Sequence, residues 1–158
     1  MAADAKPQGG RITRGVHVFP VRVYYEDTDA AGVVYYANYL KYAERARTEM
    51  MHLLDAGYRD LIAGGKLAFA VRRCEVDFLA PARLDDILEV RTSVTETGGA
   101  SVTAEQVIRR GGDDIARLCV KLACITPAGR ATRLPPKLRT ALARVTKNGN
   151  RNVNPRKR

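Results

Sequence analysis

The sequence is poor in the residues on which several large enzyme classes depend. It has two histidines, His17 and His52, and three cysteines, Cys74, Cys119 and Cys124, in 158 residues. Neither histidine has a Cys or His at ligand spacing beside it, so surface or packing roles are favoured over a metal site. Cys119 and Cys124 differ by an odd number of positions, which in a regular strand points them to opposite faces and argues against a zinc site built from the pair. An odd number of cysteines in apolar-rich segments suits reduced thiols used as small core residues. There is no G-x-S-x-G elbow and no G-x-x-x-x-G-K-[ST] loop, so serine-hydrolase and P-loop chemistries lack their entry signatures. No apolar run approaches the ~18 residues of a membrane-spanning helix. The opening MAADAKPQGG lacks the apolar core of a secretory signal. A cytoplasmic protein without a membrane span is the expectation.

Acidic residues are the scarcer charged class, 17 against 27 Lys and Arg, leaving a formal +10. The excess is uneven. Residues 144–158, RVTKNGNRNVNPRKR, hold six bases and no acid, residues 1–15 add +2, and the stretch 16–143 is only +2. The tail has little apolar bulk to offset its ordering entropy, so it is expected to be disordered. An anionic partner for it is one reading of the charge. The expected organisation is a flexible segment over 1–15, one domain over 16–143 and the basic tail over 144–158; the length suits one domain.

Residues 17–25, HVFPVRVYY, predict a strand. After Glu26, Asp27, Thr28, Asp29 and Gly32 comes a long helical pattern, with Tyr36, Tyr39, Leu40, Ala43, Arg47, Met50, Met51 and Leu54 on one stripe. Gly57 stands where a helix C-terminus favours positive φ. From Leu67 the period becomes two, predicting four strands, the last three an antiparallel meander with glycine turns at Gly98-Gly99 and Gly111-Gly112. A short helix is predicted near Leu138 to Val145. One helix cannot cover both faces of the resulting five-stranded sheet, so an apolar face is expected to remain for solvent or a second subunit.

Glu26, Asp27 and Asp29 raise the question of calcium, but an EF-hand begun at Asp27 would place Ala31 fifth and Asn38 twelfth, where acidic or bidentate ligands belong. What remains is a carboxylate, Asp29, ahead of Gly32 and a helix starting near Tyr35 or Tyr36. Unpaired N-H groups there would polarise a carbonyl while Asp29 attacked it or activated water. Plain helix capping by Asp29 explains the same residues.

The stretch Arg22 to Glu49, RVYYEDTDAAGVVYYANYLKYAERARTE, and the stretch Val71 to Val90, VRRCEVDFLAPARLDDILEV, resemble the 4-hydroxybenzoyl-CoA thioesterase family of hotdog proteins. They are most similar to its branch of acyl-CoA thioesterases encoded with the Tol-Pal envelope system. The resemblance covers about residues 16 to 143 and is densest in D-x-D-x-x-G-V-V-Y followed by N-Y. It implies an α+β hotdog, a long central helix wrapped by a five-stranded antiparallel sheet, assembled as a homodimer or homotetramer. It also implies hydrolysis of an acyl-CoA substrate without a cofactor, coenzyme A being part of the substrate. Asp29 then matches the catalytic carboxylate, as nucleophile or general base, and the Tyr36 N-H matches the donor to the thioester oxygen. Gly32, Val33, Tyr35, Asn38 and Tyr39 are the candidates for contact with substrate. Tyr35, Tyr36 and Tyr39 suit an acyl pocket or simply core, and Asn38 suits a cap or a group orienting Asp29.

Tyr36 stands where many members of that branch carry His, so an aryl or longer acyl group is as compatible as a short aliphatic one. The turn at Thr97 to Ala100 lacks the arginines that some relatives use for coenzyme A phosphates. Arg72, Arg73, Arg109 and Arg110 are the alternatives, with solvated strand charge as the plainer reading. A second class of function keeps the fold without catalysis, as a binding module whose basic tail engages an anionic partner. A hotdog dehydratase is weaker, because neither histidine is placed to serve it.

Overall fold

The computed structural model describes residues 8–55 and 57–147. Six strands form one open antiparallel sheet in the order β1-β2-β4-β5-β6-β3. They are β1 (Arg11–Thr13), β2 (Val16–Arg22), β3 (Ala68–Phe78), β4 (Ile87–Thr97), β5 (Ser101–Arg110) and β6 (Asp113–Ile125). A long helix, α1 (Ala37–Leu54), lies on one face, and a short one, α2 (Pro136–Leu142), closes the end of that face. The hotdog arrangement is as expected, with one strand more than five. The added strand, β1, sits inside the segment expected to be flexible. It is three residues long, too short to show a period in sequence, and it is pinned by the Arg14-Gly15 turn, where both residues take positive φ (50° and 74°) and match the hairpin twist.

The face of α1 turned to the sheet carries Tyr39, Tyr42, Ala43, Ala46, Met50, Met51 and Leu54. Ala43 and Ala46 are fully buried, and their small side chains let the helix approach the strands. Around them Phe19, Val21, Leu88, Val90, Ile108 and Leu118 form one core cluster. Met50, Met51 and Leu54 form a second with Val94, Val102, Cys124, Leu138 and Val145. Tyr36 and Leu40, expected on the stripe, are 59% and 40% exposed instead: Tyr36 precedes the helix, and the buried face is centred on Tyr39, Tyr42, Ala43 and Ala46, which puts Leu40 at its rim. The left-handed cap of α1 falls on Asp55 (φ 45°), two residues before Gly57, which is also at positive φ.

The sheet face turned away from α1 is not apolar. Glu105 on β5 and Arg117, Cys119 and Lys121 on β6 occupy its alternate positions and are exposed. The exposed apolar side chains gather at the β3 edge and the adjacent loops, at Val71, Phe78, Leu79, Tyr35 and Tyr36. Of the cysteines only Cys124 is a core residue; Cys74 and Cys119 are exposed. The C-terminal boundary moves as well: Val145 is fully buried and Thr146 bridges Val94, so the chain is ordered through the start of the expected tail. The rest of that tail, and residues 1–7, lie outside the described residues. Among the described residues no helix is long and apolar enough to cross a membrane.

Candidate active site

The acidic segment between β2 and α1 is held by its own polar groups. Tyr25–Asp27 form one 3-10 turn, closed when the Asp27 carboxylate accepts the Tyr24 N-H at 2.8 Å. The Asp27 carbonyl then accepts both the Tyr35 N-H and Asn38 Nδ2, each at 2.9 Å. Asn38 therefore ties the helix start to the backbone at Asp27, and its side chain does not contact Asp29.

Between these anchors Asp29 sits on a compact turn. Its N-H donates to the Val33 carbonyl and its carbonyl accepts from Gly32, both at 2.9 Å. One carboxylate oxygen, Oδ1, accepts the Ala31 N-H at 2.9 Å. The other has no donor among the described residues, and the residue is exposed. Gly32 takes φ 76°, in the left-handed region, with no atom within 4 Å of the position a Cβ would occupy. Its carboxylate neighbour is thus approachable from that side. Asp29 forms an Asx-type turn and does not cap α1, since its side chain bonds to Ala31 and no group of the helix.

Tyr36 is already helical (φ −56°, ψ −31°) and stands immediately before α1. Among the described residues no acceptor receives the N-H of Tyr36, while Tyr35, Asn38 and Tyr39 donate to Asp27, Tyr35 and Tyr36. Free donors at a helix start meet negative charge favourably. The Tyr36 ring leans away onto Phe78, edge-on at 6.0 Å, and stacks at a tilt against Tyr35 at 4.8 Å. Those three rings form an exposed aromatic ledge beside the turn.

Tyr39 is a brace. It is buried, its hydroxyl accepts the Ala82 N-H at 3.1 Å, and its ring meets Tyr42 edge-on at 6.2 Å. Burial pushes its phenol above the ordinary range, against the opposing effects of the Ala82 N-H and Arg110. The same segment is joined to the acidic loop when Val34 donates to the Ala82 carbonyl at 2.8 Å and Val33 bridges Arg83.

The four arginines considered for phosphate contact separate. Arg110 is near the site but committed, with Nη1 on Asp86 at 2.8 Å and on the Pro81 carbonyl at 3.1 Å. Burial works to raise Asp86, yet the Arg83 N-H and the Arg110 guanidinium hold it below the usual carboxylate range. Arg109 pairs with Asp114 at 2.9 Å, Arg73 pairs with Glu75, and Arg72 is the extra residue of a bulge on the exposed edge strand. Arg83 is a fifth arginine, outside the four expected. It is exposed, it faces Val33 across a bridge, and no ion pair commits its side chain among the described residues. Nothing local distinguishes it from the other arginines; only the pairing of the two loops brings it to Gly32.

The two histidines take packing roles. His17 is fully buried, Nε2 bonds the Gly9 carbonyl at 2.7 Å, and its ring lies parallel to Phe19. Burial pulls it below its ordinary value. His52 is exposed and stacks on Tyr58 at 4.4 Å.

A single helix cradled by an open antiparallel sheet, with the β2-α1 loop at the helix start, is the architecture of the hotdog class of thioester hydrolases. Residues 31–116 match the model of the thioesterase superfamily (4HBT), a span that opens two residues after Asp29. The chain is 47% identical to the acyl-CoA thioesterase YbgC of Haemophilus influenzae, over 68% of this chain and 79% of that one. Among solved structures, a probable thioesterase from Bartonella henselae is 36% identical with a TM-score of 0.70, over 76% of this chain and 99% of the other. The 1,4-dihydroxy-2-naphthoyl-CoA thioesterase Slr0204 from Synechocystis is 26% identical with a TM-score of 0.73, over 80% and 95%. The chain belongs to the thioesterase superfamily.

Proposed function

We propose that this thioester hydrolase cleaves an acyl-CoA to the free acid and coenzyme A, with Asp29 as the reacting carboxylate. The carrying observation is the pairing of a half-committed Asp29 carboxylate with the unpartnered Tyr36 N-H on one exposed loop-helix junction. The thioester carbonyl oxygen accepts from Tyr36, where the helix start offsets the charge that builds during attack. Asp29 either adds to the carbonyl carbon through Oδ2 or takes the proton from the water that adds. In both roles the tetrahedral adduct collapses by expelling the coenzyme A thiolate; in the first, water then hydrolyses the mixed anhydride left on Asp29, releasing the free acid and restoring the carboxylate. Gly32 leaves the approach open, Val33 holds the turn, and the ledge of Tyr35, Tyr36 and Phe78 meets the acyl group. Arg83 is the cation best placed for a coenzyme A phosphate. The reaction is proposed as cytoplasmic and free of metal or redox cofactors. Support for an acyl-CoA substrate comes from the name of the relative in Haemophilus influenzae.

A homodimer joined at β3 fits the same reading. Among the described residues β3 pairs with β6 alone, leaving its outer backbone edge open, and apolar residues flank it. Arg73 and Glu75 lie on either side of Cys74, so an antiparallel second copy centred there sets opposite charges against each other.

The test is Asp29→Asn assayed against short, long and aromatic acyl-CoAs. A loss of at least about 100-fold in turnover is expected, the low end for a positioned general base. A variant that keeps wild-type turnover removes Asp29 from the chemistry.

A further inference from the structure

The molecule has a second feature that the reaction centre does not use. Along the later turns of α1, facing β3, β5 and β6, lies a cavity of about 290 Å³ lined by Met51, Tyr58, Phe69, Val102 and Leu122. Its charged residues, Glu44 and Arg47, come from α1 with Thr48, and Tyr58 adds a phenol from beyond the helix. The guanidinium is held from behind. Arg47 Nη1 donates to Gln106 Oε1 at 2.7 Å, and the Gln106 amide donates from Nε2 to the Ala43 carbonyl and to Thr92 Oγ1, each at 2.9 Å. Gln106 is fully buried, and these partners fix which way its amide points.

That arrangement leaves a half-buried cation without a counter-ion. Among the described residues no carboxylate lies within ion-pair distance of Arg47. Glu44 faces the same cavity from one turn away and acts on Arg47 only at longer range, while burial pulls the guanidinium below its usual range. Groups with several donors in an apolar hollow are seldom left with one bond. Gln106 uses one of five donors, so the others are available to an acceptor that enters the cavity.

One strand runs from the cavity to the turn that carries Asp29. Phe69, Val71, Cys74, Val76 and Phe78 share the α1-facing side of β3, opposite Cys124, Leu122, Val120, Leu118 and Ala116 of β6. Phe78, at one end of this strip, touches Tyr36; Phe69, at the other, lines the cavity. Arg47 stands eleven residues beyond Tyr36 on the helix, about 16 Å along its axis.

Resting on the acyl-CoA reading, we propose that Arg47, set by Gln106, determines acyl specificity: the cavity takes an acyl group whose far end carries an acceptor oxygen, a hydroxyl or a carboxylate. An unsubstituted methyl end would leave the guanidinium donors unmet, and the enzyme discriminates against it.

The experiment compares kcat/KM for acyl-CoAs of equal length ending in methyl, hydroxyl or carboxylate, in a short and a long series. Wild type is expected to favour an oxygen-ended member of at least one series by about tenfold or more, the scale of one hydrogen bond to a charged group. Arg47→Met removes that preference mainly through KM, Arg47→Lys keeps part of it, and Asp29→Asn slows all three substrates without changing their order. Retention of the hydroxyl arm alone assigns a neutral acceptor, and of the carboxylate arm alone an anionic one. A wild-type preference for methyl ends in both series, or an oxygen preference untouched by Arg47→Met, overturns the proposal. If no acyl-CoA is hydrolysed, the thioesterase reading itself has failed. Calorimetric titration of wild type with adipate against hexanoate then decides on Arg47, for which tighter adipate binding lost in Arg47→Met supports the proposal and equal binding overturns it. Should Arg47→Met not fold, Arg47→Lys and the wild-type preference carry the same decision.

Discussion

The two ends of α1 solve opposite problems. At its start the helix leaves the Tyr36 N-H unspent and keeps Tyr36 and Leu40 exposed, while the acidic loop in front is tied by hydrogen bonds among its own residues. At its far end Met50, Met51 and Leu54 are buried under α2 and β4 to β6. At the start, exposed polar groups and ring edges sit above a packed face of Tyr39, Tyr42 and Ala43; at the end, packing dominates. Stability and reactivity can be separated along one helix when the residues left exposed at its start are not the ones that pack on the sheet.

That separation is open to a double test. Asp29→Asn should lower turnover by at least about 100-fold and shift unfolding free energy by no more than about 0.5 kcal/mol, as an exposed polar change. Leu54→Ala, buried in the second core cluster, should cost about 2–5 kcal/mol of stability in chemical denaturation, while turnover per folded molecule stays near wild type. Equal effects of both variants on both readouts would dissolve the comparison. Gly32→Ala forces a Cβ into the left-handed region at a cost of about 1–2 kcal/mol. Because the space around it is open, the expected result is a turn displaced from its geometry, read as a drop in turnover larger than the drop in melting temperature. Arg83→Ala should raise KM for acyl-CoA several-fold and leave kcat alone, and no change in KM would free Arg83 from the coenzyme. The smallest effect belongs to Tyr36→Phe, expected within about twofold in turnover (~0.4 kcal/mol). A large loss there would move the role from the backbone N-H to the hydroxyl.

Much of the fold was legible because period carries it. The 3.6-residue recurrence from Tyr39 to Leu54 and the alternation after Leu67 are long enough to fix a helix and four strands, and the glycine pairs mark their turns. β1 was not legible: three residues show no period, and only its pairing with β2 makes it a strand. Tyr36 and Leu40 depart from the stripe because spacings of three and four fit more than one helix face, and the buried face turns toward Tyr42 and Ala46. The supposed apolar outer face was an inference from strand number, and the charges at Glu105, Arg117 and Lys121 were already there to contradict it. At the site, the D-x-D-x-x-G pattern leads to Asp29 and Gly32. The distinction between Asp27, which holds the loop, and Asp29, which is left half free, needs hydrogen-bond partners. Asn38 is likewise resolved only by its bond to the Asp27 carbonyl.

β1 has an effect at a distance from the reaction. It occupies the outer edge of β2 along Val16–Val18 with a three-residue strand whose own exposed Arg11 and Thr13 make a poor template for another chain. Among the described residues the eleven-residue β3 is the longer outer strand. Two copies that met along β3 would each consume the longer edge the other offers, and further growth would have only the short charged one to use. The shortest strand of the fold thereby works against filaments.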